Sequence, residues 1–234
     1  TLSKVKIKEL ISQSPFMDLN QIEAYLSDTD SQQRLKAIVE LRNYEPDVAV
    51  PLLLSKKQDQ EFLVRSFVAM GLGRKRTAES FAALLEMMKF DRDPNVRAEA
   101  SNSLSLFGEV SAPHLRSLFV QDDHWLVRRS ILAAMTELNS PEEIYETCTY
   151  GVTADDETVR TSSIDVLGLL VNTPKQDEAL KLLLSMVSNP SWRIRFRTAK
   201  ALVRFSVPEA QDALNYLRQD EDHRVVGAVL ESLL

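Results

Sequence analysis

A chain of 234 residues with 44% hydrophobic content can bury a substantial core, as one elongated domain or as a single globular unit. Its formal net charge of -6 and pI near 5.2 give no general attraction to nucleic acid or an anionic membrane, and its single cysteine, Cys148, excludes an internal disulfide. No uninterrupted apolar run approaches the ~18 residues of a membrane span and the opening TLSKVKIKEL lacks a signal-peptide core, so a soluble, cytoplasmic protein is expected.

In chain order, residues 1–16 are expected to form an N-terminal cap: a lysine-bearing helix over 1–12, ended by Ser14 and Pro15, with Ile7, Leu10 and Ile11 available to close an exposed end. Residues 17–234 then divide into hairpins of helices. The first pairs a segment near 18–27 with one near 31–43, which carries Arg34, Ala37, Ile38 and Leu41. The second opens at Pro46, crosses KKQDQE and resumes over 62–72; Gly71 and Gly73 mark its end, and Arg74, Lys75 and Arg76 fill the link as a solvated turn or a rim contact. The third has a first helix over 77–90, then Asp93 as an acidic cap before Pro94, and Gly108 as a stop. The fourth begins near 111–113, and its second helix covers 125–138. The fifth opens at Pro141 with a short polar helix holding Tyr145, Cys148 and Tyr150, and a break is expected at Gly151. The sixth opens at Pro174, with an apolar helix over 180–187; the seventh opens at Pro208 and continues from His223.

An arginine phases these hairpins. Arg34, Arg65, Arg97, Arg128, Arg160 and Arg195 are separated by 31, 32, 31, 32 and 35 residues. Each of the last four sits in the same frame: Val96-Arg97-Ala100-Leu104, Val127-Arg128-Ile131-Met135, Val159-Arg160-Ser163-Leu167 and Ile194-Arg195-Thr198-Leu202. Steps of one, three and four place these side chains on one side of a helix, and helical hairpins recurring at this period stack into an all-α solenoid, here of about six to seven units with an extra N-terminal helix. Val226 stands where a seventh arginine is expected. Acids gather at the turns inside the hairpins, among them Asp59, Asp91, Asp93, Asp122, Asp123, Asp155 and Asp220. They can cap helix N-termini, or the arginines can bridge from turn to turn as a ladder.

The repeated frame resembles HEAT repeats, in the shortened form of the phycobilisome-related family of bilin lyase subunits and phycobilisome-degradation proteins, whose relatives include a protein that binds an A-type iron–sulfur carrier. The resemblance implies that the second helices line a concave wall. It also implies a protein client: a phycobiliprotein, a paired lyase-like HEAT subunit or an iron–sulfur carrier. The leading expectation is a non-catalytic adaptor with no cofactor. The alternative is a lyase subunit handling phycocyanobilin or a related tetrapyrrole, with Asp165 and Tyr150 as candidates to protonate or orient it.

Candidate binding residues follow from carrying one helical face through the repeats. That face exposes Ser66, Met70 and Gly73; Ala98, Asn102 and Ser105; Arg129, Ala133 and Thr136; Thr161, Asp165 and Gly168; and Phe196, Lys200 and Val203. Such a small-residued wall lets a partner backbone approach closely. Phe62, Trp125 and Trp192, three residues before the arginine, are interface anchors or core fillers. The sharpest local feature is Arg193, Arg197, Lys200 and Arg204, spaced i, i+4, i+7, i+11 on one flank. Such a stripe either receives an acidic partner or is neutralised from within, by Glu178, Asp220 or Glu221. His114, His124 and His223 share no metal-ligand spacing, no phosphate loop or nucleophile elbow occurs, and the cations concentrate in one repeat rather than along a nucleic-acid track.

Overall fold

The computed structural model describes residues 17–231, all helical or looped. The expected cap over 1–16 lies outside them. The described residues form seven hairpins: α1 (Leu19–Leu26) with α2 (Ser31–Glu40), α3 (Pro46–Leu54) with α4 (Phe62–Lys75), α5 (Ala78–Phe90) with α6 (Pro94–Ser105), α7 (Ala112–Gln121) with α8 (Trp125–Met135), α9 (Pro141–Gly151) with α10 (Glu157–Leu167), α11 (Gln176–Leu184) with α12 (Trp192–Leu202), and α13 (Pro208–Leu217) with α14 (His223–Leu230).

Local chemistry sets the ends. Asp30, Asp93, Asp156 and Asp222 accept backbone N–H bonds at the starts of second helices, and proline occupies the first turn of α3, α6, α7, α9 and α13, where no intrahelical donor is needed. Gly108 takes φ +79° beyond α6, a conformation that penalises any side chain. Two expected boundaries move: the first helix of the sixth hairpin, expected over 180–187, runs from Gln176 to Leu184, and the second helix of the second hairpin outlasts its glycines. Helix α4 continues through its glycines to Lys75, because Lys75 Nζ donates to the carbonyls of Arg42 and Tyr44 and Arg76 turns left-handed after it. Helix α9 ends at Gly151, where a break is expected; a Cβ there would lie 2.0 Å from Ser163 Oγ, so this glycine also serves the contact between α9 and α10.

The core runs the length of the stack. Val64, Val96, Val127, Val159 and Ile194, each just before its arginine, are buried, as are Leu72, Leu104, Met135, Leu167 and Leu202 one face further on. Second helices pack on one another at every step. First helices approach one another less closely, the fourth-to-fifth step excepted, so the solenoid curves with its second helices inside.

The arginines hold the turns in register. Arg34, Arg65, Arg97 and Arg195 each give Nε and Nη2 to the two carboxylate oxygens of an aspartate in the next hairpin, Asp59, Asp91, Asp122 and Asp220 respectively. Nη1 of the same guanidinium donates to a carbonyl six residues earlier, in its own turn. The carboxylate also accepts the backbone N–H two residues on, as Asp91 does from Asp93. With every partner fitted, these pairs tolerate burial: the Arg65 and Asp91 side chains are 4% and 7% exposed.

The ladder that the repeated arginines can form is interrupted at two rungs. Where repeats two, three, four and seven present Asp59, Asp91, Asp122 and Asp220, repeat five presents Ala154 and repeat six Asn189. Arg128 therefore gives Nε to the carbonyls of Phe119 and Asp122 and lies 5.7 Å and 5.5 Å from the ring centroids of Phe119 and Tyr150. Among the described residues Arg160 bonds the carbonyls of Ala154 and Asp155 and no carboxylate.

Arg65→Ala should cost about 3 kcal/mol in a urea titration, since it leaves a buried carboxylate unpaired; Arg160→Ala should cost about 1 kcal/mol, the worth of carbonyl hydrogen bonds alone. Equal losses would mean that the carboxylate adds nothing. The Arg195 guanidinium holds the Asp220 carboxyl below its ordinary value. The stability from that rung is complete above the ordinary aspartate value, about 3.9, and is lost as pH falls through the depressed one. Acid titration of Asp220→Asn should accordingly show lower stability at pH 7 and a smaller further loss on acidification than the parent; parallel curves would contradict the pairing.

Candidate functional site

With the ladder arginine as origin, residues two before it and two, five and nine after it face the concavity. None of these positions is buried in any of the six arginine-bearing repeats, and their i, i+4, i+7, i+11 spacing is one helix face. Repeat two presents Leu63, Phe67, Met70 and Arg74. Repeat three presents Asn95, Glu99, Asn102 and Leu106, and repeat five Thr158, Ser162, Asp165 and Leu169. In repeat six the same four positions are Arg193, Arg197, Lys200 and Arg204. The basic stripe thus occupies the whole concave face of α12 and continues into the turn after it, where Arg204 lies.

Two members of the stripe, Arg193 and Arg197, line a cleft of about 530 Å³ together with Glu157, Thr158 and Thr161 of α10, Trp192 and Phe196 of α12, and Arg224 of α14. Two guanidinium groups lie over Trp192, Arg224 at 3.3 Å and Arg193 at 4.7 Å from its ring centroid, and Trp192 meets Phe196 edge to face at 6.5 Å. Lys200 Nζ lies 5.4 Å from the Phe196 centroid. Cation–π contacts of this kind keep the charges close to apolar surface without extinguishing them.

Internal neutralisation is partial and comes from unexpected residues. Glu178 pairs with Lys175, and Asp220 and Glu221 with Arg195, so the three expected acids do not reach the stripe. Instead α10 supplies Glu157 to Arg193 at 3.2 Å and Asp165 to Arg197 at 3.0 Å. Lys200 and Arg204 have no carboxylate within ion-pair distance among the described residues. Burial pushes the Asp165 carboxyl above its ordinary value against the pull of Arg197, Lys200 and Arg204, and burial likewise raises Glu99.

Seven of the expected binding residues gather here: Asp165, Trp192, Arg193, Phe196, Arg197, Lys200 and Arg204. The others do not join them. Trp125 is 43% exposed at the start of α8, stacked on His124; Arg129 is exposed one position off the concave register; Asn102 is exposed on α6; and Ser105 is half-buried, its hydroxyl donating to the Asn102 carbonyl. Ala98, Gly73 and Gly168, expected on the groove face, are buried. The expected face is rotated too far toward the neighbouring helix: a Cβ on Gly73 would come 2.7 Å from the Ser103 Cβ of α6, so this small residue permits close helix packing. Tyr150 packs with Phe119 under Arg128, away from the Asp165 cluster. Burial raises the Cys148 thiol far above its ordinary value.

Arg224, Glu157 and Thr158 are the lining residues that were missed, whereas Thr161 lies on the face expected from the sequence. Arg224 stands two before Val226, the register of Arg193, so phasing the seventh repeat by its valine finds it. Glu157 is concealed by its place in the first turn of α10, where an acid needs no other explanation. Among the described residues there is no group of three or more His, Cys, Asp or Glu side chains placed to hold a metal ion, and no helix long and apolar enough to cross a membrane.

A family profile described as HEAT repeats matches residues 50–136 and 146–234. Among solved structures, the Escherichia coli protein YibA is similar over 100% of this chain and 97% of its own, at 15% identity and a TM-score of 0.58. The complex of CpcE and CpcF of phycocyanin lyase from a Nostoc species is similar over 94% of this chain and 88% of the matched chain, at 18% identity and a TM-score of 0.53. At such identities the likeness bears on the fold alone. No curated protein sequence matches the chain.

Because Asp165 and Arg197 are 43% and 42% exposed, Asp165→Asn should change stability by less than about 1 kcal/mol in a denaturant titration. A loss as large as that of a ladder rung would show that this pair carries the joint between repeats five and six.

Proposed function

The chain belongs to the HEAT-repeat family, and from that premise we propose that it is a non-catalytic adaptor whose concave wall grips an acidic surface of a protein client, with α12 as the recruiting helix. The observation that carries this reading is the four-cation concave face of α12, two of whose members lack a carboxylate partner among the described residues. Cations at i, i+4 spacing repel one another. Their alignment costs stability that a complementary client recovers, chiefly as faster and more selective encounter. Trp192 and Phe196 add aromatic area that is inexpensive to order.

On the resemblance set out above, the client comes from phycobilisome or iron–sulfur metabolism: a phycobiliprotein, a paired lyase-like subunit or an A-type iron–sulfur carrier. A second reading, tetrapyrrole handling as a bilin lyase subunit, is favoured by the cleft. A space of about 530 Å³ beside Trp192 suits a flat conjugated ligand, with Arg193, Arg197 and Arg224 near enough to its rim to take propionates. The Nostoc complex, a phycocyanin lyase by name, shares this fold.

Lys200→Glu with Arg204→Glu reverses the two cations outside ion pairs and leaves Arg193–Glu157 and Arg197–Asp165 in place. Stopped-flow association of a fluorescent polyglutamate peptide should slow about tenfold at low salt and lose most of its salt dependence. Unchanged rates would overturn the recruiting role of α12. In a parallel titration with phycocyanobilin, a shifted visible band that Trp192→Ala abolishes would favour the pigment reading; no shift would remove it.

A further inference from the structure

The concave wall is not uniform along its length, and the variation specifies the client segment more narrowly than acidity does. At the repeat-two end the wall is largely apolar: Leu63, Phe67 and Met70 of α4, with Val39 of α2, occupy concave positions, and Arg74 is the one cation among the concave positions of α4. Val39, Phe67 and Met70 border an open hollow of about 160 Å³, floored by Leu53 and Gly71 and rimmed by Arg42, Arg74 and Lys75, close to the size of an engineered cavity that accepts a benzene ring, about 150 Å³. In the middle the concave charges are negative, Glu99 on α6, Glu137 after α8 and Asp165 on α10. Only at repeats six and seven do cations dominate, through α12 and Arg224. A uniformly acidic segment is repelled by the middle of this wall, and a uniformly apolar one leaves the cations of α12 unpaired.

Resting on the adaptor reading above, we infer that the client presents one continuous segment with a large apolar side chain at one end and an acidic cluster at the other. The apolar side chain fills the hollow between α2 and α4, and the acids meet Arg193, Arg197, Lys200 and Arg204. The separation follows from the stack. Four steps between neighbouring second helices, at about 9 Å each, span about 36 Å, which an extended chain crosses in about eleven residues. The linking stretch carries no acids, since it passes Glu99 and Glu137.

Fluorescence anisotropy with the full chain and three synthetic peptides tests this: a phenylalanine and four glutamates joined by about eleven Gly/Ser residues, the same peptide without the phenylalanine, and one with a linker of about four residues, too short to bridge the two sites. Each is made in both chain directions. The long bipartite peptide should bind about tenfold or more tighter than the acid-only peptide, the factor that burial of one large apolar side chain supplies, and the short-linker peptide should bind no tighter than acid alone. Met70→Glu should abolish the advantage without changing acid-only binding; Val39→Asp repeats the test from the opposite side of the hollow, and circular dichroism checks that both variants fold. Equal binding of bipartite and acid-only peptides, or an advantage that survives both substitutions, would overturn the bipartite segment while leaving the recruiting helix standing. Failure of every peptide to bind would overturn the adaptor reading itself.

Discussion

Each ladder guanidinium must satisfy two turns at once. Its Nη1 is fixed by a carbonyl of its own hairpin, and its Nε and Nη2 by both oxygens of an aspartate in the next, so one planar group sets the offset between consecutive repeats. The bond is geometric as much as energetic: a bidentate fork tolerates little rotation, and burial of the pair makes an imperfect fit costly. Because the offset is the same at repeated steps, the same four positions of each second helix arrive on the inner face. The concave wall is therefore a consequence of what happens at the opposite ends of the side chains' own helices, at the turns.

Repeat five departs from that scheme, and its neighbours take up the load differently. Ala154 and Asn189 remove two carboxylates, and the joints are held instead by Arg128 against Phe119 and Tyr150, by Arg116 with Glu146, and by Lys175 bridging Glu142 and Glu178. On the inner face Glu157 and Asp165 reach across to Arg193 and Arg197. These contacts are more exposed than the rungs they replace, and exposed pairs contribute little to stability. The joint beside the candidate site is consequently linked by groups that an incoming anion can compete for, whereas the joints of repeats one to four are sealed by buried pairs.

The same side chains thus belong to two ledgers of interaction. Arg197 is both a link to α10 and part of the cationic face; Trp192 both packs between α12 and α14 and offers its edge to the cleft. A binding surface assembled from weak internal contacts requires no rearrangement of the core to change partners. Val64, Val96, Val127, Val159 and Ile194 stay buried behind it in every such exchange, because they point away from the wall.

The repeat, the phase of the arginines, the hairpin boundaries near prolines and aspartates, and the alignment of Arg193, Arg197, Lys200 and Arg204 were all legible in the sequence, because they depend on spacing within one helix or one turn. What depended on distance between repeats was not. The ladder was visible as a possibility at six arginines, but only the stacked turns decided that Ala154 and Asn189 leave Arg128 and Arg160 without carboxylates. The groove face was rotated in the sequence reading because periodicity locates the centre of a buried stripe and not its width; Gly73 and Gly168 are covered by the next second helix and Ala98 is buried, which no residue within their own helix announces. Likewise Glu157 and Asp165, rather than Glu178 or Asp220, meet the basic stripe, since the curvature of the stack brings α10 and α12 together on the inner face and gives Asp220 to Arg195 at the edge.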